Sequence, residues 1–236
     1  MSDSELLVAA LAKLARLLAA DDTAALLQHV ITSATELLEL AGAGVLRVGE
    51  VSEPGRPAAI TASAVAVEEL EQSQLAAARG PALEAMRHGA PVTVTEIGKY
   101  LDVWPEYAGA AERHAMSSVA SIPLRQGEAS IGVLSIYSAE RREWAAGDLS
   151  VGELLAQLAA GHLVTADRLR EQQQIADQLQ HALDARIVIE QAKGVIANAR
   201  NIAPDDAYKL IRAHARRNRI SVHAVATGIV ELRLRI

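Results

Sequence analysis

Hydrophobic residues near the start of the chain recur at helical spacing. Four leucines follow one another at intervals of four, three and four residues: Leu7, Leu11, Leu14 and Leu18. This short heptad stripe predicts a first helix that packs on a partner helix or on the protein's own core. Asp21 or Asp22 can cap a second predicted helix, which runs to about Leu40.

From residue 45 the pattern changes to short β-branched runs that predict strands. The predicted strands are residues 45–51, 58–67, 91–95, 119–124 and 130–137. A helix interrupted at Gly80-Pro81 is predicted over residues 69–87, whereas residues 97–115 show no regular spacing and are predicted to be irregular. Because strands and helices do not alternate regularly, the pattern predicts an α+β domain with an antiparallel sheet flanked by helices.

From residue 149 to the end, the chain shows helical spacing. Leu169, Ala176 and Leu183 recur at intervals of seven, with Gln172 and Leu179 between them, which predicts a short coiled coil. No low-complexity linker interrupts this region, so we expect a continuous helix to join a first domain, residues 1–165, to a second, residues 166–236. The second domain is predicted to be an all-α three-helix bundle with a coiled-coil connecting helix.

The last three predicted helices each separate an apolar face from a polar one. The predicted buried positions are Val188, Ala192, Val195 and Ala199 in the first helix, Ala207, Leu210, Ile211 and His214 in the second, and Val222, Val225, Ala226, Ile229 and Val230 in the third. A second face, next to the buried one, is predicted to contain Arg186, Glu190 and Lys193 in the first helix, and Tyr208, Arg212 and Ala215 in the second.

The charge of the chain is unevenly distributed. Residues 164–236 carry 12 Lys and Arg residues against 8 Asp and Glu residues, whereas residues 1–163 carry 11 against 21. A basic C-terminal third indicates a contact with nucleic acid, but helix surfaces that simply differ in charge explain the asymmetry equally well.

The composition excludes several kinds of site. The chain has no Cys, which excludes disulfides, thiol catalysis and Cys-ligated zinc. Its seven His residues show no metal-binding spacing, so no metal site is expected. Asp3 and Glu5 stand where a signal peptide carries cations, and no uncharged stretch is long enough to span a bilayer. We therefore expect a soluble cytoplasmic protein that does not bind a membrane.

Four blocks of the first domain resemble a GAF domain of the bacterial regulatory kind, over roughly residues 22–165. These blocks are residues 80–85, 104–105, 117–125 and 131–138. The resemblance implies a sheet with a pocket for a small effector, and the candidate pocket residues are Trp104, Tyr107, Ser118 and Ile136. The alternative is a packed core without a ligand, in a domain that serves dimerisation. Nothing marks a cyclic nucleotide, bilin or haem, so no cofactor is expected.

Residues from about Gln172 to Val230 are similar to an ANTAR domain, the RNA-binding module of transcription antiterminators. The resemblance is carried by Arg186, Ile189, Glu190, Ala192, Lys193, Gly194, Ala207, Tyr208, Leu210, Arg212, Ala215, Val225, Ala226, Ile229 and Val230. Ala203 departs from the family, which usually has a Ser or Thr cap there; the change removes about 1 kcal/mol of helix capping.

The ANTAR resemblance implies that unpaired RNA bases stack on an aromatic ring while phosphates meet cations. The candidate RNA-binding residues are Arg186, Lys193, Gly194, Tyr208, Arg212, Arg216, Arg217 and Arg219. Without the resemblance, the residues fit equally well a Tyr208 that packs on the bundle with its hydroxyl outward and arginines that are simply solvated. A glycine at position 194 is likewise explained equally well by close approach of RNA or by close packing of another helix.

Together the two resemblances imply a regulator and not an enzyme: a homodimer that binds paired hairpins in nascent mRNA and prevents a terminator from forming. A DNA-binding helical regulator is the alternative, although the last helix offers few cations for a DNA groove and ends on Glu231. A sensor-kinase role for His181 is disfavoured, because the residues around it lack that motif and no ATP-binding domain follows.

Overall fold

The computed structural model describes residue 12, residues 22–47 and residues 59–236. The chain divides into two compact units, Met1–Asp167 and Arg168–Ile236. The predicted first helix with its leucine stripe, and the predicted strand residues between 48 and 58, lie outside the described residues.

An antiparallel sheet forms the centre of the N-terminal unit. Its strands are β1 (Gly42–Arg47), β2 (Ala59–Ala62), β3 (Val92–Val94), β4 (Ser118–Gln126) and β5 (Ala129–Ser138). They lie in the order β2-β1-β5-β4-β3, and every neighbouring pair is antiparallel. Strands β4 and β5 form a hairpin whose turn consists of Gly127 and Glu128, with Gly127 at a φ of 61°.

Helices cover both faces of this sheet. They are α1 (Thr23–Leu37), α2 (Val65–Ala77), α3 (Pro81–His88), α4 (Pro105–Arg113) and the start of α5 (Ala146–Arg200). Side chains alternate between the two faces along a strand, so Ala120 and Ile136 pack with α1 and α5, whereas Val119 and Tyr137 pack with α2 and α4. The predicted α+β fold class with an antiparallel sheet is confirmed.

Two helix starts follow local signals that the sequence displays. Asp22 caps α1, since its Oδ1 accepts a hydrogen bond from the backbone N–H of Ala25 at 3.0 Å. Gly80 precedes Pro81 at the start of α3 and has a φ of 149°. A Cβ added to Gly80 would lie 2.3 Å from Gln74 Oε1, so the backbone conformation and the close packing both require glycine.

Two predicted segments differ in the structure. The predicted strand 58–67 is wrong beyond Ala62, because α2 begins at Val65 and buries Val67, Leu70 and Gln74 at helical spacing. The segment 97–115 was predicted to be irregular, but it contains a 3₁₀ turn (Ile97–Tyr100) and α4. Pro105 opens α4, where its missing N–H costs no hydrogen bond, and a buried face of mostly alanines gave a weak periodic signal.

The C-terminal unit is helical, and comprises the end of α5 with α6 (Pro204–Asn218) and α7 (Val222–Glu231). Its buried core consists of Ala192, Ile196, Ala207, Ile211, Ala215, Val225, Ala226 and Ile229. Ala215, predicted to lie outside the buried face, is only 3% exposed, whereas Val195, predicted to be buried, is 48% exposed. Both differences follow from four-residue helical spacing, which continues from Ile211 to Ala215 and from Ala192 to Ile196.

Helix α5 is 55 residues long and runs through both units. Among the described residues it is the one helix that is long and apolar enough to cross a membrane by length and composition. Its first part is an ordinary core helix, in which Leu155, Ala159 and Leu163 pack on α1 and the sheet. The stretch that follows, residues 168–184, is exposed throughout.

Candidate nucleic-acid interface

A shallow groove of about 300 Å³ lies between α5 and α6 in the C-terminal unit. It is lined by Ala182, Ala185, Arg186, Ile189, Glu190 and Lys193 of α5 and by Tyr208 of α6. The structure therefore brings together Arg186, Lys193 and Tyr208, which the sequence placed on two separate helices.

Lys193 and Tyr208 are in direct contact in this groove. The Lys193 Nζ lies 5.8 Å from the centre of the Tyr208 ring, in the range of a cation–π interaction. The same Nζ lies 2.9 Å from Glu190 Oε2, and the Lys193 side chain is only 15% exposed. Lys193 thus contacts both Glu190 and the Tyr208 ring, and Tyr208 remains 36% exposed.

The other predicted cations lie farther along α6. Arg212 is exposed one turn after Tyr208, and Arg216, Arg217 and Arg219 are exposed where the helix ends. Within the part of the chain that the structure describes, none of these four guanidinium groups forms an ion pair. Cations at a helix C-terminus are favoured by its dipole, which accounts for part of this clustering. All four remain available to phosphates.

Gly194 lies on the exposed side of α5, next to Lys193. A Cβ added there would meet no atom within 4 Å, so no packing partner in the described chain requires a glycine. Glycine inside a helix costs about 1 kcal/mol relative to alanine. The structure thus removes packing within this chain as the reason for Gly194 and leaves an open stretch of helix backbone.

Helix α7 does not have the surface of a DNA-reading helix. It carries no Lys or Arg between Val222 and Glu231, and it exposes His223 and Glu231. A helix that enters the major groove normally meets phosphates and bases with cations and amides. Most basic residues of the unit lie instead on α5 and α6, while Arg233 and Arg235 follow the end of α7.

Four residues of the groove are not among the candidate RNA-binding residues of the sequence, namely Ala182, Ala185, Ile189 and Glu190. Together with Arg186 and Lys193 they recur at three- and four-residue intervals along α5, so they share one helix face. That spacing was available in the sequence. The two alanines are small enough to leave room beside the Tyr208 ring.

A second surface of α5 is apolar and exposed. We call it the α5 stripe: Leu169, Ile175, Leu179, Leu183 and Ile187, which are 48%, 50%, 66%, 52% and 46% exposed. The last three follow at four-residue intervals, and the stripe includes the leucines of the predicted coiled coil. Several large apolar side chains exposed in one row are typical of an interaction surface.

The four candidate effector residues are all buried, on both faces of the sheet. Trp104 is 4% exposed and stacks on Tyr100, with ring centres 4.7 Å apart, while its edge faces Tyr107 at 6.2 Å. Ile136 lies on the opposite face of the sheet, as strand alternation requires. The Ser118 hydroxyl donates to the backbone oxygen of Glu140 at 2.9 Å. The protein's own side chains therefore fill the space that these residues were expected to leave for a ligand.

A cleft of about 420 Å³ lies beside this aromatic cluster. It is lined by Glu96, Gly98, Leu101, Ala108, Ala111, Glu112, Ala115, Met116 and Ser117. Leu101 is 52% exposed at its edge, so the cleft is open to solvent and partly apolar. Its lining includes none of the four candidate effector residues.

Comparison with known protein families identifies both units. The family model described as a GAF domain matches residues 20–164, and the model described as an ANTAR domain matches residues 177–230. These matches confirm both resemblances seen in the sequence. No curated protein matches the chain.

Solved structures are similar to the chain in fold. The GAF domain of a phosphoenolpyruvate-protein phosphotransferase from Coxiella burnetii is 14% identical, with a TM-score of 0.51 over 72% of this chain and 99% of that one. The corresponding GAF domain from Acinetobacter is 12% identical, with a TM-score of 0.50 over 71% of this chain and 97% of that one. At these identities the likeness shows the fold alone.

Proposed function

We propose that this chain, which belongs to the GAF domain family and carries an ANTAR domain, is a transcription antiterminator that binds paired hairpins in nascent mRNA. ANTAR domains are RNA-binding modules, and both domains are of regulatory and not catalytic kinds. The observation that supports the proposal most is the groove in which Lys193 contacts the exposed Tyr208 beside Arg186, with Arg212 exposed one turn farther along α6.

The groove suits an unpaired base of a hairpin loop. An RNA loop exposes base faces that stack on aromatic rings, and each stacked base contributes about 1–3 kcal/mol. Tyr208 supplies the ring, and Arg186 at the same groove supplies a second planar group. Arg212, Arg216, Arg217 and Arg219 then meet the phosphates of the flanking stem, which gives affinity that falls with salt.

The α5 stripe supports a homodimer. Its leucines and isoleucines are about half exposed in one chain, and a second copy of α5 would bury them in a parallel coiled coil. Two copies carry two ANTAR domains, which matches the two hairpins of the proposed RNA target. Gln172, at a core position of the predicted coiled coil, would weaken the pair but favour one register of it.

The N-terminal unit is the proposed sensor. GAF domains bind small molecules in many regulators, and the cleft between Gly98 and Met116 is one opening among the described residues of this unit that could receive an effector. Since the proposed target is nascent mRNA, we propose that the protein acts in the cytoplasm. Trp104, Tyr107, Ser118 and Ile136, the residues first expected to bind an effector, are buried, so the proposal rests on the cleft instead.

A binding comparison tests the RNA proposal against the DNA alternative. The purified full-length protein is titrated with a hairpin RNA selected from RNA that co-purifies with it, and with a DNA duplex of the same sequence, at matched salt. We expect tighter binding to the hairpin. Tighter binding to the duplex would instead support a DNA-binding regulator.

Substitutions then locate the site. We expect Arg212→Ala to weaken hairpin binding and to reduce its salt dependence, because one phosphate contact is lost. Tyr208→Ala should remove about 1–3 kcal/mol of stacking, whereas Tyr208→Phe should retain most of it. Arg113→Ala, which removes an exposed cation from the N-terminal unit, is the matched control. Equal affinity of the Arg212 and Arg113 variants, with unchanged affinity of Tyr208→Ala, would remove the groove as the binding site.

A further inference from the structure

Glu71 is a carboxylic acid sealed inside the N-terminal unit. It lies in the middle of α2, faces the sheet and has no exposed surface. The Tyr137 hydroxyl donates a hydrogen bond to Glu71 Oε1 at 2.7 Å, and the Gln74 amide nitrogen donates to Oε2 at 3.2 Å. A buried charge is normally paired with an opposite charge, so the groups around this carboxyl decide its state.

No positive side chain faces Glu71 from the described elements packed around it. Strand β5 presents Tyr137 and Ser135, and α4 presents Tyr107, whose buried hydroxyl lies beside that of Tyr137. Strand β1 presents only the backbone at Gly44, where an added Cβ would lie 3.6 Å from Glu71 Cγ. An ionised Glu71 would therefore be a buried anion without a counter-ion.

The pKa values of the buried groups show which of them titrates near neutral pH. Burial raises the pKa of Glu71 from 4.5 to about 7, although the hydrogen bonds from Tyr137 and Ser135 act in the opposite direction. Burial also raises the pKa values of Tyr107 and Tyr137 well above 10, so both phenols stay neutral. Among these groups, Glu71 is the one that gains or loses a proton near neutral pH.

Glu71 also sits where three elements of the unit meet. Gln74, which contacts the carboxyl, accepts a hydrogen bond at its Oε1 from the backbone N–H of Ala82 at 2.8 Å. This bond holds the start of α3 against the end of α2. One turn before Glu71, Val67 packs so closely on β1 that a Cβ at Gly42 would lie 2.7 Å from it. A change at the carboxyl is thus transmitted directly to α2, α3 and the sheet.

We propose that Glu71 is a proton-operated switch that sets how firmly α2 and α3 pack on the sheet. With the proton bound, the carboxyl is neutral and the junction stays closed. When the proton is released to water, the buried anion is stabilised only if water reaches it, and the junction between α2 and α3 opens. The proton would then be an input signal of the sensor unit, whatever the C-terminal unit binds.

Hydrogen exchange of the full-length protein tests the switch. A carboxyl that titrates at 4.5 when exposed and near 7 when buried makes local opening more favourable by about tenfold per pH unit between these values, with no further change above them. After correction for intrinsic exchange, we expect the protection factors of the α2 amides and of the Ala82 amide to fall by about tenfold per pH unit between pH 4.5 and about 7. In Glu71→Gln, which keeps a neutral side chain of the same shape, protection should not depend on pH.

Glu68→Gln is the matched control, because Glu68 lies exposed one turn earlier on the same helix. It should keep the pH dependence of the wild type. The same slope in Glu71→Gln, or no slope in the wild type, would overturn the proposal.

A carboxyl titration of the wild type gives an answer even if Glu71→Gln does not fold. In protein labelled with ¹³C-glutamate, we expect the Glu71 carboxyl to titrate with a midpoint near neutral pH. Tyr137→Phe should raise that midpoint further, because it removes a hydrogen bond to the ionised form. A Glu71 midpoint at the ordinary glutamate value in the wild type would overturn the switch.

Discussion

At Gly194, the stability of the fold and the affinity for RNA favour different residues. Its position on α5 is open, with no atom within 4 Å of an added Cβ, so alanine fits there and favours the helix by about 1 kcal/mol. We expect Gly194→Ala to raise the free energy of unfolding by about that amount and yet to weaken hairpin binding, because a methyl group would hold the RNA backbone away from the helix. Chemical denaturation and RNA titration measure the two effects.

Gly161 provides the control for this substitution. It lies on the same helix, is exposed and has equally open space around an added Cβ. Gly161→Ala should stabilise the protein similarly and leave RNA affinity unchanged. If Gly194→Ala also binds RNA with the affinity of the wild type, the hypothesis that RNA approaches α5 closely at Gly194 is wrong.

At the scale of single residues, the sequence identified residues by their chemistry better than it predicted how closely their neighbours pack around them. Lys193 and Tyr208 were singled out by their resemblance to an RNA-binding module, and the structure brings them into contact. Trp104 and Ile136 were singled out as lining a pocket, but both are buried in packed cores on opposite sides of the sheet. Residue type does not reveal whether the space next to a side chain is already filled.

At the scale of elements, strong local signals were predictive and weak periodicity was not. The β-branched runs predicted β4 and β5 to within two residues of their bounds, and the Gly80-Pro81 interruption marked the start of α3, since these signals depend on local sequence. Helix α4 was missed, because its buried face is mostly alanine and its other residues are polar. Its helical state depends on packing against Trp104 and the sheet, which a local pattern does not contain.

The α5 stripe can be tested as an element. Leu179 and Leu183 are 66% and 52% exposed, so replacing them costs the fold of one chain little. In a coiled coil, the double substitution Leu179→Asp with Leu183→Asp would place like charges in the seam. We expect sedimentation velocity to show a dimer for the wild type and a folded monomer for the variant.

A pair of glutamines supplies the control for these charges. Gln174→Asp with Gln178→Asp adds the same two acids to exposed positions on the other side of α5. This variant should remain dimeric. A wild-type monomer, or a dimer that survives the leucine substitutions, would exclude the stripe as the dimer contact.

At the scale of the whole molecule, the charge distribution bears on selectivity. The chain has a net charge of −6, although residues 164–236 carry 12 cationic residues against 8 acidic ones. The summed charge of the protein therefore repels a polyanion, and attraction is confined to the local arginines. Such a protein gains little from non-specific contacts with RNA and depends on correctly placed groups, which favours a structured hairpin target over arbitrary strands.

Dimerisation and RNA binding should then be linked through valency. If each copy binds one hairpin, an RNA with two hairpins occupies both sites of a dimer, and the second contact is intramolecular. We expect the wild type to bind the two-hairpin RNA at least about tenfold more tightly than either hairpin alone, a margin beyond the statistical gain from two sites. The Leu179→Asp, Leu183→Asp monomer should bind a single hairpin as the wild type does but lose this margin, because no second site is tethered to the first. Titrations of both RNAs at one salt concentration measure the difference, and an equal margin in the monomer would show that the two hairpins are not read by two copies.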